Sequence, residues 1–171
     1  VGYYNDRMPN TSPFISFVIP VYNEEGNVAK LHQEILETAR SLKKPFEIIF
    51  VDDGSSDGTP EILKTLKPAK IITFRKNFGQ TAALDAGVHE AAGVHLVTLD
   101  GDLQNNPADV PQMLAYLNDR NLDVVCGWRK NRQDSEVSKF ISAGARFWRN
   151  ILISDGIHDS GCTLRVYKNE C

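Results

Sequence analysis

The chain has 171 residues, 42% hydrophobic and 24% charged, and its 19 Lys+Arg against 22 Asp+Glu leave a net charge of -3. These proportions describe one ordinary globular domain and exclude a disordered, collagen-like or disulfide-scaffold chain. They also argue against nucleic-acid binding through a basic field, and apolar runs such as Ile48–Val51 fall far short of the ~20 residues of a spanning helix.

Residues 1–12 are polar, carry no secretory pattern, and read as a flexible lead-in to a domain spanning 13–171. Ile15–Tyr22 then reads as a buried strand. Val28, Leu31, Ile35, Ala39 and Leu42 form one helical stripe within 25–42. Phe46–Val51 is a second buried strand. A helix is expected from Asp57 to Leu66, with Thr59 and Pro60 at its start. Lys70–Phe74 is a third strand, Gln80–Ala92 an alanine-rich helix, and Val94–Leu99 a fourth strand. Asn106 and Pro107 open a helix bearing Val110, Met113, Leu114 and Leu117, and Leu122–Cys126 is a fifth strand. Leu164–Tyr167 alternates like another strand only four residues before Cys171, so a domain continuing past that residue is expected.

Alternation of strands and helices, with continuously apolar strands, predicts an α/β fold: a mostly parallel sheet with helices on both faces. Ligands of such sheets bind at the carboxyl ends of the strands. Tyr22-Asn23-Glu24, Asp52-Asp53-Gly54-Ser55, Arg75-Lys76-Asn77 and Asp100-Gly101-Asp102 each follow an apolar strand, so four polar clusters converge on one edge.

Asp100 and Asp102, separated by one small residue, repel each other unless a cation joins them. A hard divalent ion, Mg2+ or Mn2+, prefers such oxygen ligands; a solvated turn with helix-capping aspartates is the other reading. In Val51–Thr59, Gly54 and Gly58 permit positive φ, and Asp57 or Thr59 can cap a helix. Its acidic residues suit the N–H groups of a base or the hydroxyls of a ribose. No Gly-x-Gly-x-x-Gly follows the first strand and no Gly-Lys-Ser/Thr loop is present, which argues against a nicotinamide dehydrogenase and a P-loop nucleotidase.

Ile19-Pro20-Val21-Tyr22-Asn23-Glu24-Glu25, the Asp52–Thr59 segment and Asp100-Gly101-Asp102-Leu103-Gln104 resemble the family-two (GT-A) glycosyltransferases. Lys76-Asn77-Phe78-Gly79, Gly127-Trp128-Arg129 and the stretch from Asp159 to Tyr167 narrow the resemblance to the polyprenyl-phosphate mannosyl- and glucosyltransferases. The resemblance covers 15–170. It implies the GT-A, Rossmann-like fold and an inverting transfer of sugar from a UDP- or GDP-linked donor to a dolichyl or undecaprenyl phosphate. Pro20, Tyr22, Glu24, Val51 and Asp53 would cradle base and ribose, with Asn77 and Gly101 also on the donor. Asp100, Asp102 and Gln104 would hold Mg2+ or Mn2+. Arg129, Ser142 and Arg165 would face the phosphates. The pattern Arg-Lys-x-x-Ser reads Ser138-Lys139-Phe140-Ile141-Ser142 here, and Lys139 or Arg132 would stand in for the missing arginine. Family members often continue into transmembrane helices, and three cysteines without ligand spacing favour a reducing compartment, so action at the cytoplasmic face of a membrane is expected.

A phosphomonoester acceptor has its second pKa near ~6 and is nucleophilic without a base, so cations matter more than a general base. Arg129, Lys130, Arg132, Lys139, Arg146 and Arg149 against Asp134 and Glu136 give a local basic excess that fits such an acceptor, or a solvated helix face. If the acceptor is instead a sugar hydroxyl, Asp159 would be the base; a nucleotide-sugar-binding module without catalysis is the third reading. Ile141, Ala145, Trp148 and Leu152 share a helical stripe that suits either core or a membrane interface. His32, His89, His95 and His158 show no ligand spacing. Cys126, Cys162 and Cys171 show none either and are expected to be reduced packing residues.

Overall fold

The computed structural model describes residues 12–128 and 162–169. Among them, six strands form one sheet: β1 (Ile15–Val21), β2 (Phe46–Asp52), β3 (Lys70–Thr73), β4 (His95–Thr98), β5 (Val124–Cys126) and β6 (Arg165–Lys168). The intervening helices are α1 (Val28–Ser41), α2 (Thr59–Leu63), α3 (Gln80–His89) and α4 (Val110–Asp119), the last entered through a 3-10 turn at Pro107–Asp109. The strand order is β3-β2-β1-β4-β6-β5. The first four strands are mutually parallel, as their apolar runs predict.

The far side of the sheet departs from a simple crossover pattern. β6 inserts between β4 and β5 and runs antiparallel to both. β5 is thereby displaced to an edge, where three residues of mixed exposure suffice because only one ladder holds them.

β1 is buried along its whole length, and its alternate residues feed two cores. Phe17, Ile19 and Val21 face α1, α2 and α4, where Leu31, Ile35, Leu63, Met113 and Leu117 pack. Val18 faces α3 with Ile49, Val51, Ala83 and Leu96. Gly87 lets α3 lie close, since a Cβ there would enter the space of Val18 and Val51. Asn106 caps the 3-10 turn by accepting the Ala108 N–H at 3.1 Å, with Pro107 in the first position, as the sequence predicts. α2 stops at Leu63, short of the expected Leu66, and the Thr65 and Leu66 amides that follow it donate to the Ile62 and Leu63 carbonyls, three residues back.

Proline inside a central strand normally forfeits a ladder bond. Pro20 avoids this loss because the β1–β4 pairing ends at Val18–Thr98, two residues earlier. The same early ending lets β1 and β4 part, and the crevice between their carboxyl ends opens there. No helix among the described residues is long and apolar enough to cross a membrane.

His32 is buried on α1, its ring nitrogen 3.3 Å from the Pro68 carbonyl oxygen. Burial lowers its pKa, outweighing the Pro68 contact that raises it, and Arg40 adds to the lowering. The folded state therefore prefers the neutral ring, while the unfolded chain takes up a proton near the ordinary 6.5. Stability should fall as pH drops below about 6.5. In His32→Gln, chemical denaturation measured from pH 7 down to pH 5 should show a shallower loss than the parent. An equal slope in both would remove His32 as its source.

Candidate active site

A cleft of about 350 Å3 opens at the carboxyl ends of β1 to β4, lined by Pro20, Tyr22, Glu24, Asp53, Asn77, Gln80, Asp100 and Asp102, with Gly79 and Gly101 in its wall. Each strand contributes its own loop, so the four polar clusters do converge. The lining holds four carboxylates and no lysine or arginine among the described residues.

The loops after β1 and β2 are sewn together by side chains accepting backbone amides. Ser55 Oγ accepts from the Asn23 N–H at 2.9 Å, Thr59 Oγ1 from Glu24 at 2.8 Å, and Asp57 Oδ2 from Glu25 at 3.2 Å. In return, Asn23 Oδ1 accepts from Ser56 at 2.8 Å and Glu25 Oε2 from Gly58 at 2.7 Å. Desolvation pushes the Asp57 carboxyl up, but the hydrogen bonds from Thr59 and the neighbouring amides outweigh it and hold its pKa below normal. This lattice accounts for the polar, turn-rich composition of the segment. It fixes the backbone from which Tyr22, 46% exposed, and Glu24 reach the cleft.

Asp53 performs a different task from its neighbour. It is only 3% exposed, and its two carboxylate oxygens accept the Phe78 N–H at 2.7 Å and the Gly79 N–H at 2.9 Å. The acid at the end of β2 thus holds the loop that leads from β3 into α3. Gly54, with φ of 73°, lies so close that a Cβ would collide with the Lys76 backbone, so only glycine permits this approach. Asp52 is fully buried and accepts the Ser55 N–H at 3.0 Å, closing its own turn.

Asp100 and Asp102 flank Gly101 just after β4. A Cβ at Gly101 would sit 2.9 Å from Val21 Cγ1 and 3.3 Å from Glu24, so the small residue lets this turn press against the β1 loop. Asp102 Oδ1 accepts the Gln104 N–H at 3.0 Å across Leu103, whose φ is 61°. Asp100 Oδ1 accepts from Gln80 Nε2 at 2.6 Å.

Not every expected residue reaches the cleft. Pro20, Tyr22, Glu24, Asp53, Asn77, Asp100, Gly101 and Asp102 are brought together. Val51 is fully buried against α3, because its position in β2 turns it to the core and not to the strand end. Gln104 lines a neighbouring hollow with Asn105, Asn106 and Trp128. Arg165 lies in another, beside Gln80, Thr98, Thr163 and Tyr167, and hydrogen bonding to Tyr167 is the largest cause of its raised pKa. Arg129, Ser142, Asp159 and His158 lie outside the described residues, as do Lys139 and Arg132. Gln80 is the cleft residue that sequence reasoning missed. Its only local signal is its place after Gly79 at the start of α3, and nothing there indicates an acid twenty residues away.

The description of glycosyl transferase family 2 matches residues 16–170. The chain is 38% identical over 168 residues to the dodecaprenyl-phosphate galacturonate synthase of Rhizobium johnstonii, covering 94% of this chain and 49% of that protein. It is 40% identical over 159 residues to an undecaprenyl-phosphate 4-deoxy-4-formamido-L-arabinose transferase of Pectobacterium carotovorum, covering 90% and 48%. The chain thus spans about half the length of the curated relatives it matches. Glucosyl-3-phosphoglycerate synthase of Mycobacterium tuberculosis, solved with Mn2+, UDP-glucose and phosphoglyceric acid, superposes with a TM-score of 0.74 at 20% identity, over 92% of this chain and 57% of that one. A Pyrobaculum calidifontis mannosyltransferase, solved with GDP-mannose and Mn2+, gives 0.62 at 21% identity, over 96% and 48%. These likenesses identify the fold as GT-A, with its mostly parallel sheet. With the strand-end cleft and a family match over nearly its whole length, the chain belongs to glycosyl transferase family 2.

Proposed function

We propose that this domain transfers a sugar from a nucleotide-diphospho-sugar to a polyprenyl phosphate, with inversion at the anomeric carbon, at the cytoplasmic face of a membrane. The observation that carries the donor half is the acidic cleft at the strand ends. The acceptor half is supported by the relatives, whose names specify dodecaprenyl and undecaprenyl phosphate.

The donor set fits a hard divalent cation. Among the described residues no cluster of three or more His, Cys, Asp or Glu side chains forms a protein-only metal cage. Mg2+ and its like need none, because one or two carboxylates suffice when waters and substrate phosphates complete the shell. Asp100 and Asp102 supply those two, on a turn kept close by Gly101. When bound, Mg2+ or Mn2+ supplies positive charge against the diphosphate, which four carboxylates would otherwise repel.

The chain's own residues do the rest. Tyr22 and Pro20 offer apolar surface to the base, Glu24 and Asn77 offer polar groups to base and ribose, and Asp53 in the cleft wall holds the loop that carries Asn77. Arg129, Ser142 and Arg165 hold the acceptor phosphate against the donor. The acceptor's phosphate oxygen attacks the anomeric carbon as the bond to the nucleoside diphosphate breaks, so no general base is required.

The test is incubation of the full-length protein with undecaprenyl phosphate, MnCl2 and a panel of labelled UDP- and GDP-sugars. Label extracted into organic solvent, with a mass equal to lipid phosphate plus one sugar, is the expected result. Label appearing only on a water-soluble glycan would overturn the acceptor and bring Asp159 forward as a base. Nucleotide binding with no transfer to either acceptor would overturn catalysis.

A further inference from the structure

Among the described residues, Gln80 is the cleft residue whose side chain reaches from the helix-bearing loop to the acidic turn. Its Nε2 donates to Asp100 Oδ1 at 2.6 Å. It also lines the adjoining hollow that holds Thr163 and Arg165, so it stands where the two cavities meet.

A side chain at the start of a helix ordinarily serves that helix, but Gln80 does not. The first turn of α3 is closed by the Ala82 and Ala83 amides donating to the Gly79 carbonyl oxygen, at 3.0 and 3.2 Å. The helix is anchored to the sheet by Ala83 and Gly87, which face Val18 and Val51. The loop below is already held through Phe78 and Gly79 by Asp53. With backbone and packing both secured elsewhere, the Gln80 amide is directed, among the described residues, at Asp100.

We propose that Gln80 is a positioning residue for Asp100: its amide fixes which carboxylate oxygen turns to the cleft and so raises the affinity of the Asp100/Asp102 pair for a divalent cation. This rests on the reading that the pair binds such a cation. An amide suits the task because it donates a hydrogen bond without bringing a second positive charge to compete with the cation. Partners that orient a ligating group from outside typically account for 10–100-fold in metal affinity.

The experiment compares the full chain with Gln80→Leu, and with Thr81→Val as a control in the same helical turn. UDP and GDP binding is followed by calorimetry over a series of MnCl2 concentrations, and melting is followed in EDTA. Gln80→Leu should need about tenfold more Mn2+ for half-maximal nucleotide binding, with its metal-free melting temperature within about 2 °C of the parent. Thr81→Val should match the parent in both. An unchanged Mn2+ midpoint in Gln80→Leu, where the parent depends on Mn2+, overturns the positioning role alone. A lowered melting temperature with that midpoint unchanged assigns Gln80 to the helix start and overturns it too. If the parent itself binds nucleotide equally with and without Mn2+, the cation reading of Asp100 and Asp102 fails first and takes this inference with it.

Discussion

Asp102→Asn should abolish most sugar transfer, by about 10²–10³, while leaving the protein folded. The substitution keeps the size of the side chain and removes the charge. Asp102 is partly exposed at the cleft, and the Gln104 amide bond that it accepts closes a surface turn that an asparagine oxygen can also close. What is lost is one of two anionic ligands opposite a diphosphate in a cleft with no lysine or arginine in its described lining. Calorimetry with UDP or GDP should show strong binding in Mn2+, much weaker binding in EDTA, and weak binding for Asp102→Asn under both conditions. Asp85→Asn, on the outer face of α3, serves as the control acid and should match the parent. Unchanged affinity in EDTA and in Asp102→Asn would remove the metal role of this turn.

Asp53→Ala should harm binding and stability together, which a residue that only touches ligand would not do. Removing the carboxylate takes both acceptors from the part-buried bonds of the Phe78 and Gly79 amides, at about 1.5–3 kcal/mol for hydrogen bonds to a charged group. For a domain of this size each kcal/mol lowers the melting temperature by roughly 2–4 °C. The same loop carries Asn77 and Gln80 into the cleft, so its release should weaken nucleotide binding by about 10–100-fold. Calorimetric melting and nucleotide titration on one preparation check both effects. Asp52→Ala should lower the melting temperature through the Ser55 turn but spare nucleotide affinity. If Asp52→Ala weakens binding and Asp53→Ala does not, the roles of the pair are reversed.

The two acids illustrate how far one-dimensional pattern reaches. Both follow a buried strand, and local chemistry cannot tell an acid that closes its own turn from one that grips a loop twenty-five residues on. That difference arises because β2 and β3 are neighbours in register, Asp52 opposite Thr73, which places the β3–α3 loop over Asp53. Gln80 was silent for the same reason: its partner sits at the end of β4, and only the shared sheet edge brings them together. Val51 shows the converse. It is adjacent in sequence to the acidic motif, but strand alternation turns it into the core.

What the amino-acid sequence determined by itself was everything set by local periodicity and turn chemistry. The apolar strands, the stripe of α1, the cap at Asn106, the small residue between Asp100 and Asp102, and the convergence of four loops all follow from side chains near one another along the chain. The motifs that mark family two fall in this class as well. Tertiary structure alone decided where β6 goes, between β4 and β5 and antiparallel to both, because an alternating strand carries no mark of which neighbour will accept its hydrogen bonds. It likewise decided that Gln104 and Arg165 line hollows beside the cleft and that Asp53 and Gln80 tie the loop after β3 to the acidic turns. Those outcomes depend on contacts between residues far apart in the chain, which hydrophobic period and turn preference do not encode.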